Sequence, residues 1–149
     1  MTTKQLKNRG FTLVELLIVI VIIAILTVIS LIAYNGIQNR ARTTTAESSA
    51  KTLADKAQIF FTQKSHYPDA ADVASGGTMF AAGNANEPWH IDSNALSVSG
   101  TAIVDGTAPD KENTLNYKRC GTGDGTGFQV TYYDYNEAKA KNRTVGTGC

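Results

Sequence analysis

Residues 10–16, which read Gly-Phe-Thr-Leu-Val-Glu-Leu, open a run that stays apolar almost without interruption to Ala33. A run of this length and composition predicts a helix that can span a bilayer. One ionisable side chain, Glu15, interrupts its start. Because a carboxylate inside a membrane helix costs about 2.5–3.5 kcal/mol on insertion scales, Glu15 is predicted to have a function beyond anchoring.

This junction resembles the processing and methylation site of a type IV prepilin, where Gly, Phe and Glu stand in fixed register ahead of a long apolar helix. The resemblance covers residues 9–33, and the rest of the chain agrees with the family in layout. It implies that a prepilin peptidase cleaves after Gly10 and methylates the new amino group of Phe11. It also implies that Glu15 pairs with the α-amino group of Phe11 in a neighbouring subunit. One departure is the absence of Pro and Gly from residues 13–33, where many pilins carry a Pro.

The basic residues before the apolar segment, and the lack of a basic excess in the rest of the chain, favour a membrane precursor over a nucleic-acid-binding protein. The segment, residues 11–34, would reach about 36 Å as a helix. Lys4, Lys7 and Arg9 precede it and would hold the N-terminus on the cytoplasmic side. They are three of the 14 basic residues, so their removal leaves 11 against 13 acidic ones. Nucleic-acid binding is therefore not indicated by composition.

The helical pattern continues beyond the membrane segment and predicts one helix of some 50 residues. It ends before Pro68, because the residue preceding a proline resists helical backbone angles. An apolar stripe at helical spacing in its second half predicts one face packed on a sheet. The stripe consists of Leu53, Ala57, Phe60 and Phe61. Gly36 is either a hinge between anchor and head or a tolerated helical glycine.

Alternation of apolar and polar residues predicts strands in the second half of the chain. Residues 68–88 are turn-rich, with a short helical turn at 70–74. The alternating segments are 96–99, 115–120 and 128–133. Residues 102–104 finish the first strand or start another, and residues 138–145 form a strand or a short helix. The Gly-rich segment 121–127 reads as a hairpin-like loop, since it lacks the Gly-Lys-Ser/Thr ending of a phosphate-binding loop.

These patterns predict an α+β, pilin-like fold: a long N-terminal α-helix packed on a small antiparallel β-sheet. The expected organisation has three parts. Residues 1–10 are a leader peptide, residues 11–34 a transmembrane and filament-core helix, and residues 35–149 an amphipathic helix half plus a globular head. Cys120 and Cys149, the two cysteines, are predicted to form a disulfide, because an exported domain favours that over a metal site.

Several other residues carry weaker functional interpretations. Oxygen ligands lie close together in sequence but miss the EF-hand template, so a calcium site like that of the related major pseudopilins stays an open alternative. These are Asp105, Asp110, Glu112 and Asn113. Trp89 is either a core anchor or an exposed partner-binding residue. Five basic residues form either a solvated face or a small basic patch that could contact DNA. These are Lys118, Arg119, Lys139, Lys141 and Arg143.

The sequence predicts a structural subunit of a type IV pilus and not an enzyme, because no catalytic constellation stands out. No cofactor and no metal are expected, and His66 and His90 are interpreted as ordinary surface or loop residues. The expected partners are further copies of the chain, prepilin peptidase, the pilus assembly machinery and, before assembly, the membrane. The precursor is expected in the cytoplasmic membrane as a single-pass protein with its head outside, and the mature subunit in an extracellular filament. The alternatives are a minor pilin, a type II secretion pseudopilin and a membrane-anchored extracellular binding domain.

Overall fold

A computed structural model describes residues 10–123 and 125–149 of the chain. Helix α1 covers Leu13–Lys64, and a four-residue helix, α2, covers Ala70–Val73. Two short 3-10 turns follow at Thr78–Phe80 and Ala82–Asn84. The strands are β1 (Ser97–Ser99), β2 (Thr114–Cys120), β3 (Gly127–Asp134) and β4 (Lys139–Gly146). Of the predicted leader, residues 1–9 lie outside the described residues.

The chain forms two compact units that divide between Ile37 and Gln38, and α1 contributes to both. In the first unit, α1 is long and apolar enough to cross a membrane. Its helical hydrogen bonding continues through Asn35 and Gly36. A Cβ added at Gly36 would meet no atom within 4 Å, so this glycine is not required by close packing among the described residues.

The second unit has one hydrophobic core between α1 and the sheet. α1 contributes three alanines, Ala50, Ala54 and Ala57, together with the larger Leu53 and Phe60. Their separations of three and four residues place them on one side of the helix. From the sheet come Leu115, Tyr117, Phe128 and Val130. The predicted α+β class, with the long helix packed on the sheet, is therefore confirmed.

The predicted apolar stripe of α1 is correct except at its end. Leu53, Ala57 and Phe60 are buried, whereas Phe61 is 38 % exposed. The next residue along a helix lies about 100° further round, so Phe61 turns away from the core. It stacks instead on Tyr67, with ring centroids 4.5 Å apart. Phe61 covers the chain just after α1 ends.

The sheet is mostly antiparallel, with strand order β1-β2-β3-β4. β2, β3 and β4 are joined in antiparallel register, and residues 138–145, ambiguous from sequence, fall almost wholly within β4. β1 departs from the prediction, because it pairs parallel to β2 with Val98 opposite Leu115. Parallel neighbours need a long connection, and residues 100–113 provide it. Residues 102–104 therefore belong to a loop, where Val104 forms an isolated bridge with Thr107.

The loop between α1 and β1 is held on the head by a buried tryptophan. Trp89 is 2 % exposed, so its interpretation as an exposed partner-binding residue is wrong. Its ring meets Phe60 edge-to-face at 5.2 Å between centroids, and its Nε1–H donates to Gln63 Oε1 at 2.6 Å. Buried tryptophans commonly satisfy their N–H in this way. The core interpretation of Trp89 is confirmed.

A polar network docks α1 onto the turn between β3 and β4. The carboxylate of Asp134 accepts hydrogen bonds from the Asn136 and Glu137 backbone N–H groups and from the Thr43 hydroxyl at 2.9–3.2 Å. Thr43 Oγ1 in turn accepts from Tyr135 N at 2.9 Å. Burial alone would raise the pKa of Asp134, but these donors, aided by the charge of Lys141, lower it below its ordinary value. The ionised carboxylate is thus the form that this turn favours.

The neighbouring residues Phe60 and Phe61 give a matched test of the core. We expect Phe60→Ala to reduce the free energy of unfolding of the head by about 3–5 kcal/mol, because it leaves a cavity beside Trp89. Phe61→Ala should cost about 1 kcal/mol, since it removes mainly an exposed aromatic contact. Trp89 is the only tryptophan, so its fluorescence during urea unfolding of the detergent-solubilised chain reports the transition. Equal losses for the two variants would contradict this assignment of the core.

Candidate processing and assembly site

The N-terminus of α1 is closed by a reciprocal pair of side chains, Thr12 and Glu15. Glu15 Oε2 accepts hydrogen bonds from the backbone N–H and the hydroxyl of Thr12, both at 2.8 Å. Thr12 Oγ1 accepts from the Glu15 backbone N–H at 3.2 Å. This is the capping-box arrangement, in which a Thr N-cap and a Glu three residues later satisfy otherwise unpaired N–H groups.

The capping box gives Glu15 a structural role that sequence reasoning missed. Its signal was present, because Thr-x-x-Glu at the start of an apolar run is the expected spacing. The carboxylate also lies in the first helical turn, where the helix dipole favours negative charge. Both Thr12 bonds use the same oxygen, Oε2, so Oε1 has no hydrogen bond within the described residues. Glu15 is therefore positioned at the helix start with acceptor capacity to spare.

The two residues at the predicted cleavage position lie before the helix and are exposed. Gly10 and Phe11 have no regular secondary structure, and Phe11 is 87 % exposed. A Cβ added at Gly10 would meet nothing within 4 Å. Nothing in the described part of this chain therefore requires glycine at position 10. A requirement for glycine there would have to come from a molecule that acts on this segment.

The cysteines join the end of β2 to the C-terminus. Cys120 and Cys149 form a disulfide with their Cα atoms 5.0 Å apart. Thr126 reinforces this closure, since its hydroxyl donates to Thr147 O at 2.7 Å and Thr147 N donates to Thr126 O at 3.0 Å. Gly127 is needed here, because a Cβ would come within 2.4 Å of Val145 O. The described part of the Gly-rich segment forms the predicted connection between strands.

Two of the candidate calcium ligands, Asp105 and Glu112, are bound to different parts of the chain. Asp105 Oδ1 accepts from the Ala140 backbone N–H at 2.8 Å, and Glu112 forms an ion pair with Arg42 at 2.9 Å. Across residues 10–123 and 125–149, no three His, Cys, Asp or Glu side chains come together as a metal site would need. These carboxylates hold loops onto the sheet edge and onto α1.

The five basic residues do not all lie on one face of the sheet, and they are not on adjacent strands. β3 lies between the strands that carry them, β2 and β4. Lys118 opposes Gln129 on one face of the sheet, whereas Arg143 opposes Val130 on the other. Lys141 is also paired with Glu137 at 3.0 Å and with Asp134 at 3.6 Å. Lys118 therefore lies on one face and the other four basic residues on the opposite face, where β3 separates Arg119 from those on β4 and the acidic partners of Lys141 neutralise part of the charge.

Comparison with known proteins is consistent with this geometry. Residues 5–31 match the family model described as the prokaryotic N-terminal methylation motif. The chain is 39 % identical over 66 residues to the type IV major pilin protein PilA of Myxococcus xanthus strain DK1622. That match covers 44 % of this chain and 30 % of the relative, so the chain matches about a third of the relative's length. No solved structure matches.

The matched motif, the capped apolar helix and the sheet-packed head together make this chain similar to the prepilins, with an α+β head. The similarity to the Myxococcus major pilin confirms the resemblance to type IV prepilins that residues 10–16 predict. Of the predicted site residues, Gly10, Phe11 and Glu15 lie together at the start of α1. Cys120 and Cys149 lie in the head, at the end of β2 and at the last residue of the sequence.

The disulfide leads to a stability prediction. Cys149→Ser should lower the free energy of unfolding of the head by about 3–4 kcal/mol. It removes the crosslink between two residues that are 29 positions apart, and so frees the end of the chain. Trp89 fluorescence in urea measures the loss, with the reduced wild-type chain as the control. The reduced wild type and Cys149→Ser should unfold together. A variant as stable as the oxidised wild type would show that the disulfide contributes nothing to the head.

Proposed function

We propose that this chain is the structural subunit of a type IV pilus, made as a membrane precursor and assembled into a surface filament. The observation that carries the proposal is a single carboxylate, Glu15, held at the start of an apolar helix four residues after Phe11. An anchor alone would need the helix but not the exposed Gly10-Phe11 junction ahead of it. The match to the N-terminal methylation motif and the similarity to a major pilin support the same function.

In this proposal the precursor sits in the cytoplasmic membrane through α1, with the Gln38–Cys149 unit outside. Prepilin peptidase cleaves after Gly10 and methylates the amino group of Phe11. The assembly machinery then transfers α1 from lipid into a bundle of identical helices. The apolar side chains remain out of water throughout, so the transfer does not expose hydrophobic surface. No catalytic role is assigned to the mature chain.

The role proposed for Glu15 follows from desolvation. In lipid or in a helix bundle the carboxylate loses water, and the Thr12 bonds replace only part of that solvation. The α-amino group of Phe11 exists only after cleavage, and in a neighbouring copy it would supply the missing cation. A copy placed at the wrong height would leave both charges buried and unpaired, at a cost of about 3–5 kcal/mol. The pair would therefore set the axial register of the filament.

Processing is tested at Gly10. We expect Gly10→Leu to leave the precursor uncleaved and in the membrane, because the proposed cut follows glycine and a bulky side chain there would obstruct it. Intact-mass analysis of the membrane protein shows whether the chain begins at Met1 or at a methylated Phe11. A neighbouring substitution that preserves Gly10, such as Asn8→Gln, serves as the control. Normal filaments from Gly10→Leu would exclude the prepilin pathway.

The assembly role of Glu15 is tested by separating its charge from its capping bond. Glutamine also serves at the third position of a capping box, so Glu15→Gln should keep the helix cap and lose only the charge. We expect this variant to be cleaved and inserted normally but to form few filaments, with a ratio of sheared filament to membrane pool at least about tenfold below wild type.

Thr12→Val is the matched control, because it removes the capping hydroxyl and keeps the Glu15 charge. It should assemble much better than Glu15→Gln. Both variants are measured in a strain without a wild-type copy, since mixed filaments would mask a defect. The opposite result, in which Thr12→Val forms few filaments and Glu15→Gln assembles normally, would show that the cap and not the charge governs assembly.

A further inference from the structure

The edge of the sheet at β1 is free, and the proposed pilus function does not use it. β1 is the first strand of the order and has only β2 beside it. The Ser97 N–H donates to Asn113 O just before β2, and Ser99 O accepts from the Asn116 side chain on β2. Because successive residues of a strand direct their backbone groups to opposite sides, the N–H and C=O of Val98 point away from β2. Neither group has a hydrogen-bond partner among the described residues.

A cavity of about 520 Å³ lies along this free edge. β1 forms one wall, and the loop that follows β1 forms another. The loop is attached at two points, because Asn116 Nδ2 donates to Thr101 O at 3.2 Å and Asp105 Oδ1 accepts from Ala140 N at 2.8 Å. These contacts fix the loop to β2 and to β4, so the cavity is formed before any ligand binds. Its volume is in the range of protein ligand sites.

The lining of the cavity is partly apolar and partly hydroxylic. Ile103, Val104 and Pro109 supply an apolar wall, and Val104 is 53 % exposed. Ser97 and Ser99 supply hydroxyl groups from β1. An aliphatic side chain of a ligand can therefore be buried against the wall while polar groups beside it keep hydrogen-bond partners.

The charges at the cavity are balanced. Its charged lining residues are Asp110 and Lys111, one negative and one positive, and both are exposed. A polyanion would meet the carboxylate, and a polycation would meet the ammonium group. The cavity is therefore complementary in charge to an uncharged ligand.

We propose that the free edge of β1 and this cavity bind an extended, uncharged peptide segment of a partner protein. One residue of the peptide would accept from the Val98 N–H and donate to the Val98 C=O, as a strand added to a sheet does. A neighbouring aliphatic side chain of the peptide would enter the cavity against Ile103 and Pro109. β1 has only three residues, so the side-chain contacts in the cavity supply most of the specificity. The site uses neither the apolar segment of α1 nor Glu15, and it does not rest on filament assembly.

Val98→Pro tests the backbone contact. Proline lacks an N–H, and an N–H that faces away from β2 can be removed without breaking the pairing of β1 with β2. Val98→Ala is the matched control, because it also shortens the side chain but keeps the N–H. Urea unfolding of the two variants, followed by Trp89 fluorescence, should give the same midpoint.

The probe is an array of acetylated and amidated pentapeptides, with Val, Ile, Leu, Ser or Thr at each of the three central positions and glycine at both ends. We expect a subset to retain the detergent-solubilised wild-type chain and Val98→Ala. Fluorescence anisotropy of the best sequence should give a dissociation constant at least about tenfold weaker for Val98→Pro, because a backbone hydrogen bond is lost.

Methylating the nitrogens of that peptide one at a time is a second test, which needs no protein variant. A peptide paired as a strand should lose at least about tenfold in affinity at the nitrogen that donates to Val98 C=O and little at the next one, because alternate N–H groups face away. Equal effects at both nitrogens would contradict strand pairing.

Three other outcomes would overturn the proposal. The first is an array that retains no wild-type chain, or that retains Val98→Pro as well as Val98→Ala. The second is binding of a neutral disaccharide, such as sucrose or maltose, in place of any peptide, which would make the cavity a saccharide site. The third is a wild-type dimer in detergent that Val98→Pro abolishes while no peptide binds, which would give the edge to a second copy. None of these outcomes bears on the pilus function, since filaments are measured separately.

Discussion

The hydrophobic core that one face of α1 shares with the sheet is the interaction on which the head depends. Ala50, Ala54 and Ala57 are small and essentially inaccessible to solvent. They share one buried core with the large side chains of Phe60, from the helix, and Phe128, from the sheet. A larger residue at any of these alanines would meet an interior that is already close-packed, and overpacking typically costs about 1–3 kcal/mol.

Three further segments of the head are attached to the helix and the sheet. The turn after β3 is anchored to Thr43 through Asp134, the long loop before β1 through Trp89 and Gln63, and the chain end through Cys120. Tyr117 adds a further link, because its buried hydroxyl donates to Pro68 O at 2.8 Å, and burial raises its pKa. Each of these segments is therefore tied to a rigid element. A filament subunit gains from this, because its loops would have to keep one shape in every copy.

Two roles converge on Glu15, and they are compatible. The bonds with Thr12 explain why the carboxylate is tolerated at the start of an apolar helix before any neighbour is present. The remaining oxygen leaves the charge able to accept a cation when one is supplied. A side chain that is held in place before it binds loses less conformational freedom on binding. The cap would thus prepare the group on which the proposed assembly step depends.

The sequence by itself determined the features that depend on local pattern. The apolar run predicted the first half of α1, the four-residue spacing of Leu53 and Ala57 predicted the buried face, and period-two alternation predicted most of β2 and β3. The junction at residues 10–16 also indicated the class of protein, because Gly, Phe and Glu in that register are local information. The Thr12–Glu15 cap was local too and could have been found from its spacing.

Only the tertiary structure decided features that depend on distant parts of the chain meeting. The parallel pairing of β1 required knowing where residues 100–113 return, and the division of the basic residues required knowing that β3 separates β2 from β4. The burial of Trp89 depends on Phe60, far earlier in the chain, lying beneath it. Periodicity records which face of an element is apolar. It does not record which element covers that face, because that choice is made by packing across the whole core.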